Sequence, residues 1–566
     1  MAGHVDMMDD VLISNLTPAL LRSSLRLVIS QGPSIQNIFV KHVQTRLAES
    51  PVSFPRIHAL LGDDGGLSGS FLEYLNWNRC LFSAKLPKQS LPNLAKIIQA
   101  MTVVKDENPN PAEALESSLQ MIDGDIVQAI QALKEFQPSP EPDLEHQLRH
   151  LILALENYKR VHDSRDSECA EYPFNRSERQ VKDAFVALFP ECMSATAPRS
   201  RAKTLMSLKI ATKPDFETFY LGPYEFPRVL NGLWQLSSAA WGSGSTSRQE
   251  EELVHLVQAG FTAADMADHY GDAELVYGAF RNRLSPSVRS QVLAATKWCV
   301  FAPPTEAVTA KFVLDAVKER YRRLGGRIEL LQLHWHDYSS KEYLSILVEL
   351  VRLTAVYPNL VSTIGLCNFD AEHTVEACEY LIAKTGSVGV VSNQVQFSVL
   401  DSRPIHLMVG VCQKYRLNLL TYGSLKCGGF LSAQWLGKPA PDIYAESAKL
   451  TPSQRKYHDM IMHWGTWRDF QDLLEILSTV AQEHRVSISN IAARWVLQQP
   501  TVGAIIVGTR LGISSHVEEN LATFGFNLSD WDLDRINVMA LGSNRTRTRR
   551  LFTSIGDCGT EYRNGH

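Results

Sequence analysis

The segment GFTAADMADHYGDAE, residues 260–274, decides the fold because it joins a short apolar run to a group of reactive side chains. The apolar-leaning run Ala259–Ala264 is typical of the end of a strand, and Asp265, Tyr270 and Gly271 follow within seven residues. A turn explains the glycine, but it does not explain an aspartate at the strand end and a tyrosine five residues later. The pattern indicates a strand whose end carries chemistry.

Further short, β-rich apolar runs follow Tyr220, most of them at intervals of about 28 to 37 residues, with helical patterns between most of them. Eight β-α units of this spacing close into a barrel. The runs are RVLNGLWQL, GFTAADMAD, QVLAATKW, IELLQLHWHD, STIGLCNF, GVVSNQVQF, LNLLTYGSL and GAIIVGTR. We therefore predict an α/β fold, a (β/α)8 TIM barrel with a separate, mostly α-helical region before it. The long, Trp- and Pro-rich interval before the last run predicts an extended loop beside the active site.

The first 200 residues read instead as helical segments separated by proline-rich breaks such as ENPNPAEA and QPSPEPDLEHQ. After a candidate N-cap at Asp143, apolar residues recur at alternating four- and three-residue steps on one helical face. These residues are Leu144, Leu148, Leu151, Leu155 and Tyr158. The stripe predicts a domain with its own core, and a surface for a partner or for self-association is the alternative. The predicted division is a helical domain of unknown role at 1–174, a linker at 175–219, the barrel at 220–545 and a C-terminal tail at 546–566.

Composition limits the classes of function. The chain has 566 residues, more than one ordinary core holds, with 45% hydrophobic and 21% charged residues. A net charge of −5 gives no reason to expect nucleic acid or an anionic membrane as a partner. We see no apolar stretch long enough for a membrane span and no signal-type start, and the nine cysteines lack paired spacing. These features predict a cytoplasmic protein with reduced thiols.

The ends of three successive runs carry groups that move or position protons. Asp265 and Tyr270 belong to the second run, Lys297 ends the third and His334 ends the fourth. A buried lysine beside an aspartate stays protonated, and its charge is expected to lower the pKa of a neighbouring tyrosine towards working pH. Each residue alone has an ordinary structural explanation, but their joint placement favours proton transfer to a carbonyl oxygen.

The segment HWHD allows a second interpretation, because His-x-His at a strand end can bind zinc. Barrel enzymes of that kind need further His and Asp ligands on other strands, and we find no such set in the sequence. We therefore predict no metal site, with His336 as a loop or pocket residue.

The same residues resemble a known family. DMADHYGDAE is similar to the aldo-keto reductase signature D-T-A-x-x-Y-G-x-x-E, with Met266 where Thr is usual. ATKW and ELLQLHWHD resemble the lysine and histidine segments of that family, with Glu329 where Asp is usual and His336 where Pro is common. The resemblance covers about residues 220–545. It implies a catalytic tetrad of Asp265, Tyr270, Lys297 and His334, with Tyr270 as the general acid/base.

The resemblance also implies a nicotinamide dinucleotide bound across the barrel mouth. IGLCNF, SNQVQ, TYGSLKCGG and VGTRLGISSHVEEN resemble the family's cofactor segments, with Cys367 where Ser is usual and His516 where Arg is frequent. Amides suit a carboxamide, a flat ring supports the nicotinamide, and Arg510 suits a 2′-phosphate, so NADPH is favoured and NADH is the alternative. The implied cofactor residues are Gly232, Asn368, Gln394, Tyr422, Ser424, Leu425, Gly508, Arg510, Ser514, Glu519 and Asn520. We expect Trp298 and Trp335 to line the substrate pocket.

The predicted function is an NAD(P)H-dependent oxidoreductase that transfers hydride between the cofactor and an aldehyde, ketone or sugar carbonyl. The alternative is a cofactor-sensing regulatory subunit with little turnover, since the family includes ion-channel β-subunits. In that case the N-terminal helical region would bind a protein partner. A third interpretation is that the first half only extends the barrel's fold.

Overall fold

Eight parallel strands close into a barrel, and a domain of helices precedes them. The computed structural model describes residues 7–63, 65–107, 113–135, 141–165, 171–192, 205–211, 213–237, 244–301, 303–304 and 307–563. Within these ranges, no helix has the length and apolarity that crossing a membrane requires. The predicted fold class, a TIM-type barrel after a mostly helical region, is confirmed.

Each of the eight apolar runs contains one strand of the barrel. The barrel strands are β3 Val229–Gly232, β4 Ala263–Asp265, β5 Leu293–Val300, β6 Ile328–Trp335, β7 Val361–Cys367, β8 Val390–Gln396, β9 Asn418–Tyr422 and β10 Val502–Gly508, and two short strands, β1 Thr218–Leu221 and β2 Tyr224–Pro227, precede them. Strands β3 to β10 pair in parallel in chain order, and β10 pairs with β3 to close the barrel. Parallel strands place all their carboxyl ends at one rim, which is where polar strand-end residues meet.

Strands β1 and β2 form an antiparallel hairpin that the sequence analysis did not anticipate. Leu221 and Phe226 are fully buried in one cluster with Leu230, Leu293 and Leu330, which lie early in their barrel strands. The hairpin therefore covers the amino-terminal end of the barrel. Strand β1 begins at Thr218, inside the segment that was predicted to be a linker, and ends at Leu221, two residues beyond it.

The remaining helices surround the barrel or lie over its rim. They are α9 Thr246–Gln258, α10 Ala273–Asn282, α11 Pro286–Arg289, α12 Ala310–Leu324, α13 Glu342–Val356, α14 Ala371–Thr385, α15 Met408–Tyr415, α16 Pro452–Trp464, α17 Trp467–His484, α18 Ile488–Leu497, α19 Val517–Leu521, α20 Asp530–Ala540, α21 Thr546–Ile555 and α22 Thr560–Arg563. Helix α16 lies within the predicted extended loop, because Thr451 and Gln454 form a capping box and Pro452 opens the helix. Helices α21 and α22 occupy the predicted C-terminal tail.

The described N-terminal residues form helices α1 to α8 in chain order, called N1 to N8 below, and N4 to N8 build a second hydrophobic core. They are N1 Met7–Asn15, N2 Pro18–Ile29, N3 Pro33–Glu49, N4 Gly69–Ser83, N5 Pro87–Glu107, N6 Glu113–Glu135, N7 Pro142–Arg165 and N8 Asn175–Leu188. The predicted stripe from Leu144 to Tyr158 is buried in this core, which confirms that it packs within its own domain. Helix N7 begins at Pro142, two residues before the start at Leu144 that a cap at Asp143 predicts.

Helix N8 lies in the segment that was predicted to be a linker. It belongs instead to the helical domain, because Val181, Ala184 and Phe185 pack into that domain's core. Its charged residues hid this pattern, because Arg176 and Asp183 are themselves buried. The proline-rich breaks at 108–112 and 136–140 and the basic stretch at 193–204 lie outside the described residues.

Candidate active site

The four residues of the predicted tetrad lie at one rim of the barrel. Asp265 is the last residue of β4, and Lys297 and His334 lie near the ends of β5 and β6. The Lys297 ammonium donates to Asp265 Oδ2 at 2.5 Å and to the Met266 carbonyl at 3.0 Å. Although burial opposes the charge, Asp265 raises the pKa of Lys297 above its usual value, so the lysine stays protonated.

Tyr270 lies over this ion pair, with Lys297 Nζ 4.6 Å from the centre of its ring. Burial raises the pKa of the tyrosine, and the positive charge of Lys297 offsets only part of that rise. The expected net lowering of the Tyr270 pKa is therefore wrong in direction, because loss of hydration outweighs one neighbouring charge. Tyr270 holds its proton at neutral pH.

His334 is buried beside two rings. Its ring centre lies 5.3 Å from that of Phe301 and 5.6 Å from that of Tyr562, both edge to face. Burial lowers the pKa of His334 to about 3, and the charges of Lys297 and Arg563 act in the same direction. The imidazole is consequently neutral across the physiological range and can donate one N–H bond without carrying a charge.

This neutral histidine predicts a pH dependence of stability. The unfolded chain takes up a proton at His334 near pH 6.5, whereas the folded protein does so only near pH 3. Above pH 6.5 His334 is neutral in both states and does not affect stability. Below pH 6.5 only the unfolded chain binds the proton, so the free energy of unfolding falls by up to about 1.4 kcal/mol per pH unit. Urea unfolding from pH 7 to pH 4 should show this loss in the native protein and a smaller one in His334→Gln. If the free energy of unfolding depended on pH in the same way in both proteins, that result would contradict a neutral buried imidazole.

A layer of amides lies below the ion pair. Gln394 Nε2 donates to Asp265 Oδ1 at 2.8 Å and to Gln332 Oε1 at 2.9 Å, and Gln332 Nε2 donates to the same aspartate oxygen at 3.0 Å. Gln332 was missed by the sequence analysis. It was detectable, because it precedes His334 by two residues and must face the same side of the strand.

The same alternation corrects the predicted substrate pocket. Lys297 and His334 face the interior, so Trp298 and Trp335 face the surrounding helices. Trp298 packs 5.7 Å from Phe312 of α12, and Trp335 is fully buried 6.1 Å from Tyr343 of α13. Both tryptophans fill the space between strands and helices, and the expectation that they line the substrate pocket is wrong.

The C-terminal segment lies over the rim instead. The Tyr422 hydroxyl donates to Asn368 Oδ1 at 3.0 Å and lies 3.2 Å from the Tyr562 hydroxyl. Arg563 donates to the Asn368 carbonyl at 2.7 Å. A Cβ on Gly559 would lie only 2.1 Å from that carbonyl oxygen, so the segment contacts the strand end closely. No local pattern in the sequence predicted that the C-terminal segment covers the rim, because the residues it contacts are about 140 to 195 residues away along the chain.

The segment after β10 offers groups that suit a polar ligand. Ser514 Oγ and Asn520 Oδ1 are buried, and no hydrogen-bond partner for them occurs among the described residues. Glu519 accepts from Lys426 at 2.7 Å, and its contacts with His516 and Lys426 lower its pKa to about 2. The Ser514 hydroxyl can donate to a phosphate oxygen, and Asn520 Oδ1 can accept from a hydroxyl or amino group, so both atoms fit a polar ligand such as a nucleotide better than an apolar one.

Other implied cofactor residues differ in their surroundings. Gly232 and Gly508 pair at the ends of β3 and β10, and a Cβ on Gly508 would lie 2.0 Å from the Gln235 amide. Arg510 is exposed. Ser424 donates to the Phe397 carbonyl at 2.8 Å and Leu425 lies in the core, so both side chains already serve the fold.

His336, the second histidine of HWHD, contacts the Val300 carbonyl through Nδ1 at 2.6 Å. Across the described ranges, no three His, Cys, Asp or Glu side chains are grouped so that they could hold a metal ion. The geometry gives His336 a backbone contact at the loop.

Comparison with known proteins identifies the family. The sequence profile of the aldo/keto reductase family matches residues 228–540. This chain is an aldo/keto reductase family member. The match covers the whole barrel and leaves the helical domain outside, and the family's use of nicotinamide cofactors supports oxidoreductase chemistry for the barrel.

Two reductases, one flagellar protein and one solved aldo-keto reductase structure are similar to the chain. Aldo-keto reductase YhdN of Bacillus subtilis is 24% identical over 327 residues, which are 56% of this chain and 90% of the relative. The NADH-specific methylglyoxal reductase of Escherichia coli is 22% identical over 337 residues, 55% of this chain and 93% of the relative. Flagellar radial spoke protein 5 of Chlamydomonas reinhardtii is 26% identical over 271 residues, 41% of this chain and about half (49%) of the relative's length. A crystal structure of a thermostable aldo-keto reductase with the inhibitor epalrestat matches with a TM-score of 0.41 at 22% identity, over 57% of this chain and 99% of that one.

Proposed function

We propose that the protein is an NADPH-dependent reductase that converts an aldehyde, ketone or sugar carbonyl to the alcohol. The observation that carries the proposal is the buried Lys297–Asp265 pair beneath Tyr270 at the carboxyl rim of the barrel. Bound at that rim, a reduced nicotinamide supplies a hydride to the carbonyl carbon and is left oxidised. The carbonyl π bond breaks, and its oxygen takes a proton.

Tyr270 supplies that proton. With its pKa raised by burial, the phenol is protonated at neutral pH and can donate to a carbonyl oxygen. The positive charge of Lys297 stabilises the tyrosinate that remains, and Asp265 fixes the position of the ammonium. Neutral His334 can donate an N–H bond to the same carbonyl oxygen and orient the substrate.

Residues around the rim would hold the cofactor. Asn368 Nδ2 and Gln394 Oε1 would serve the carboxamide, since the other amide atoms of these two residues bond within the protein, and Tyr422 would offer a flat ring for the nicotinamide. The orphaned atoms of Ser514 and Asn520 support a dinucleotide whose adenosine phosphate end lies after β10. One similar protein is named as NADH-specific, so the preference for NADPH rests on Arg510.

Arg510→Ala tests that preference. A guanidinium paired with a 2′-phosphate contributes about 1.5 to 3 kcal/mol, so its loss should weaken NADPH binding roughly ten- to hundredfold. NADH has no 2′-phosphate, and its affinity should change less than about threefold. Quenching of protein fluorescence by each cofactor measures both constants. Equal losses for the two cofactors would contradict the assignment of Arg510.

The activity itself is tested by cofactor oxidation at 340 nm with the full chain and a panel of sugars, aliphatic and aromatic aldehydes and quinones. Turnover with NADPH and at least one carbonyl is expected. Tight NADPH binding with no turnover across the panel would overturn the reductase and leave the cofactor-sensing subunit.

A second candidate function is binding of a protein partner through N1 to N3. None of the described side chains of N2 and N3 is buried, and Ile38 is 71% exposed. The exposed large hydrophobic residues of these helices are Val11, Leu12, Ile13, Leu20, Leu25, Leu27, Val28, Ile38 and Phe39. The basic residues of this region are Arg22, Arg26, Lys41 and Arg46 of N2 and N3, whereas its acidic residues, Asp9, Asp10 and Glu49, lie at its two ends. An apolar, basic surface of this kind complements an amphipathic helix with an acidic polar face.

Two synthetic helical peptides test this surface, one with glutamate and one with lysine on the polar face opposite a leucine stripe. The full chain should bind only the glutamate peptide, and Leu20→Ser with Val28→Ser should abolish binding without lowering turnover. Equal binding of both peptides, or binding that survives the substitutions, would exclude the surface.

A further inference from the structure

The loop that carries Tyr270 contacts the helical domain through buried charges. Asp272, two residues after the tyrosine, has a fully buried carboxylate. Arg176 NH2 donates to its Oδ1 at 3.2 Å, and Arg179 NH2 lies 3.2 Å from its Oδ2. Burial favours the neutral acid, but the two arginines together lower the pKa of Asp272 below its usual value. Both arginines belong to helix N8, so the ion pair joins the two domains.

Arg176 also fixes the turn next to Tyr270. Its NH2 donates to the Leu236 carbonyl at 2.8 Å. Gly271 packs against the same carbonyl, because a Cβ there would lie 2.7 Å from the oxygen, and its φ of +59° suits glycine. The Arg176 guanidinium therefore bonds both to the segment at Leu236 and to the loop at Asp272, which meet directly after Tyr270.

A second set of charges holds the loop from the barrel side. Arg323 of α12 donates to the Gly271 and Asp268 carbonyls, both at 3.3 Å. Its Nε lies 3.3 Å from Asp183 Oδ2 of helix N8, and Lys134 of N6 donates to that carboxylate at 2.8 Å. The helical domain thus contributes to the network on both sides of the loop.

A third contact reaches the residue before Tyr270. Gln131 Nε2 of helix N6 lies 3.3 Å from His269 Nδ1. The His269 ring packs 4.8 Å from Phe301, which in turn contacts His334. Contacts from the helical domain therefore bracket Tyr270 at positions 269 and 272.

We infer that the helical domain acts as a clamp on the loop 266–272 and that Arg176 is a positioning residue, which acts on Tyr270 through Asp272. The inference rests on the proposed function, in which Tyr270 donates a proton. A proton donor must lie within hydrogen-bond reach of the oxygen, and a displacement of about 1 Å can cost about a hundredfold in rate. A buried ion pair is weak evidence for stability alone, whereas its position beside the donor gives it a role in geometry.

The test compares Arg176→Met with Lys182→Met in the full chain. Lys182 lies on the same helix and pairs with Glu178 and Glu156 of its own domain, which makes it a matched control. Arg176→Met should lower kcat about thirty- to hundredfold, with the NADPH dissociation constant and the carbonyl KM within about threefold of native. Lys182→Met should change none of the three. Hydrogen exchange of a peptide covering 266–276 should accelerate only in Arg176→Met.

Two further variants complete the design. Arg176→Lys keeps the charge with fewer donors and should recover part of kcat, which also tests the clamp if Arg176→Met does not fold. Asp272→Asn, made alone and added to Arg176→Met, should give a double variant whose loss of kcat is smaller than the product of the two single losses, because both substitutions remove the Arg176–Asp272 contact. Native kcat in Arg176→Met or Arg176→Lys, or a parallel loss of cofactor binding, would overturn the clamp. Tyr270→Phe, assayed alongside, separates the two ideas, since native turnover in that variant would refute the proposed function instead.

Discussion

Tyr270→Phe is expected to lower kcat by about a hundred- to ten-thousandfold, the range that general acid catalysis contributes. The substitution removes only the hydroxyl, so the ring stays over the Lys297 ammonium and the fold is kept. NADPH affinity should stay within about twofold of native, because the lost group acts on the carbonyl oxygen and not on the cofactor. Steady-state rates at 340 nm and fluorescence titration measure the two quantities.

Tyr220→Phe is the matched control for this experiment. Tyr220 is exposed at the opposite, amino-terminal end of the barrel and should tolerate the change without effect. A Tyr270→Phe protein with native kcat would show that another group donates the proton. A protein that lost cofactor binding in proportion to kcat would show that Tyr270 lies in the cofactor site.

Lys297→Met is expected to lower both activity and stability. The Lys297 side chain is 3% exposed and its ammonium pairs with Asp265, so the substitution leaves a buried carboxylate with only the two glutamine amides. Breaking a buried pair in this way costs about 3 to 5 kcal/mol, and the loss of charge beneath the developing tyrosinate should lower kcat at least about a hundredfold. Urea unfolding and rates at 340 nm measure the two effects.

Asp265→Asn added to Lys297→Met separates the two effects. The double variant removes the unpaired charge and should regain most of the stability while staying inactive. Lys414→Met, at an exposed lysine paired with Glu379, is the control and should be neutral in both assays. Recovery of activity in the double variant would contradict a role for the lysine charge.

The barrel was predictable because each strand is a local feature. An apolar run ended by a polar residue recurs along the chain. Parallel strands bring those ends to one rim, and this does not depend on the length or sequence of the helices between them. Asp265, Lys297 and His334 were therefore found from their positions in single runs. Because strand side chains alternate, the sequence also places Gln332 on the interior side with His334, and it places Trp298 and Trp335 on the helix side, away from the pocket.

Other features depend on contacts that no local pattern encodes. Arg176 meets Asp272 from 96 residues away, and Arg563 meets Asn368 from 195 residues away. Helix N8 looked like a linker because its buried charges are satisfied by the barrel, and a polar sequence does not show where its partners are. The pKa of Tyr270 was misjudged for a related reason, since the extent of burial is a property of the fold and not of the motif.

In the proposed reaction, hydride passes from the nicotinamide to a carbonyl carbon at this rim. The most direct measurement uses NADPH fully deuterated at C4 of the reduced nicotinamide, the full chain, and the best carbonyl of the panel, with mass spectrometry of the alcohol. We predict one deuterium on the former carbonyl carbon, formed by the native protein and at least about a hundredfold more slowly by Tyr270→Phe. An alcohol without deuterium on that carbon, or no alcohol despite bound NADPH, would contradict the account.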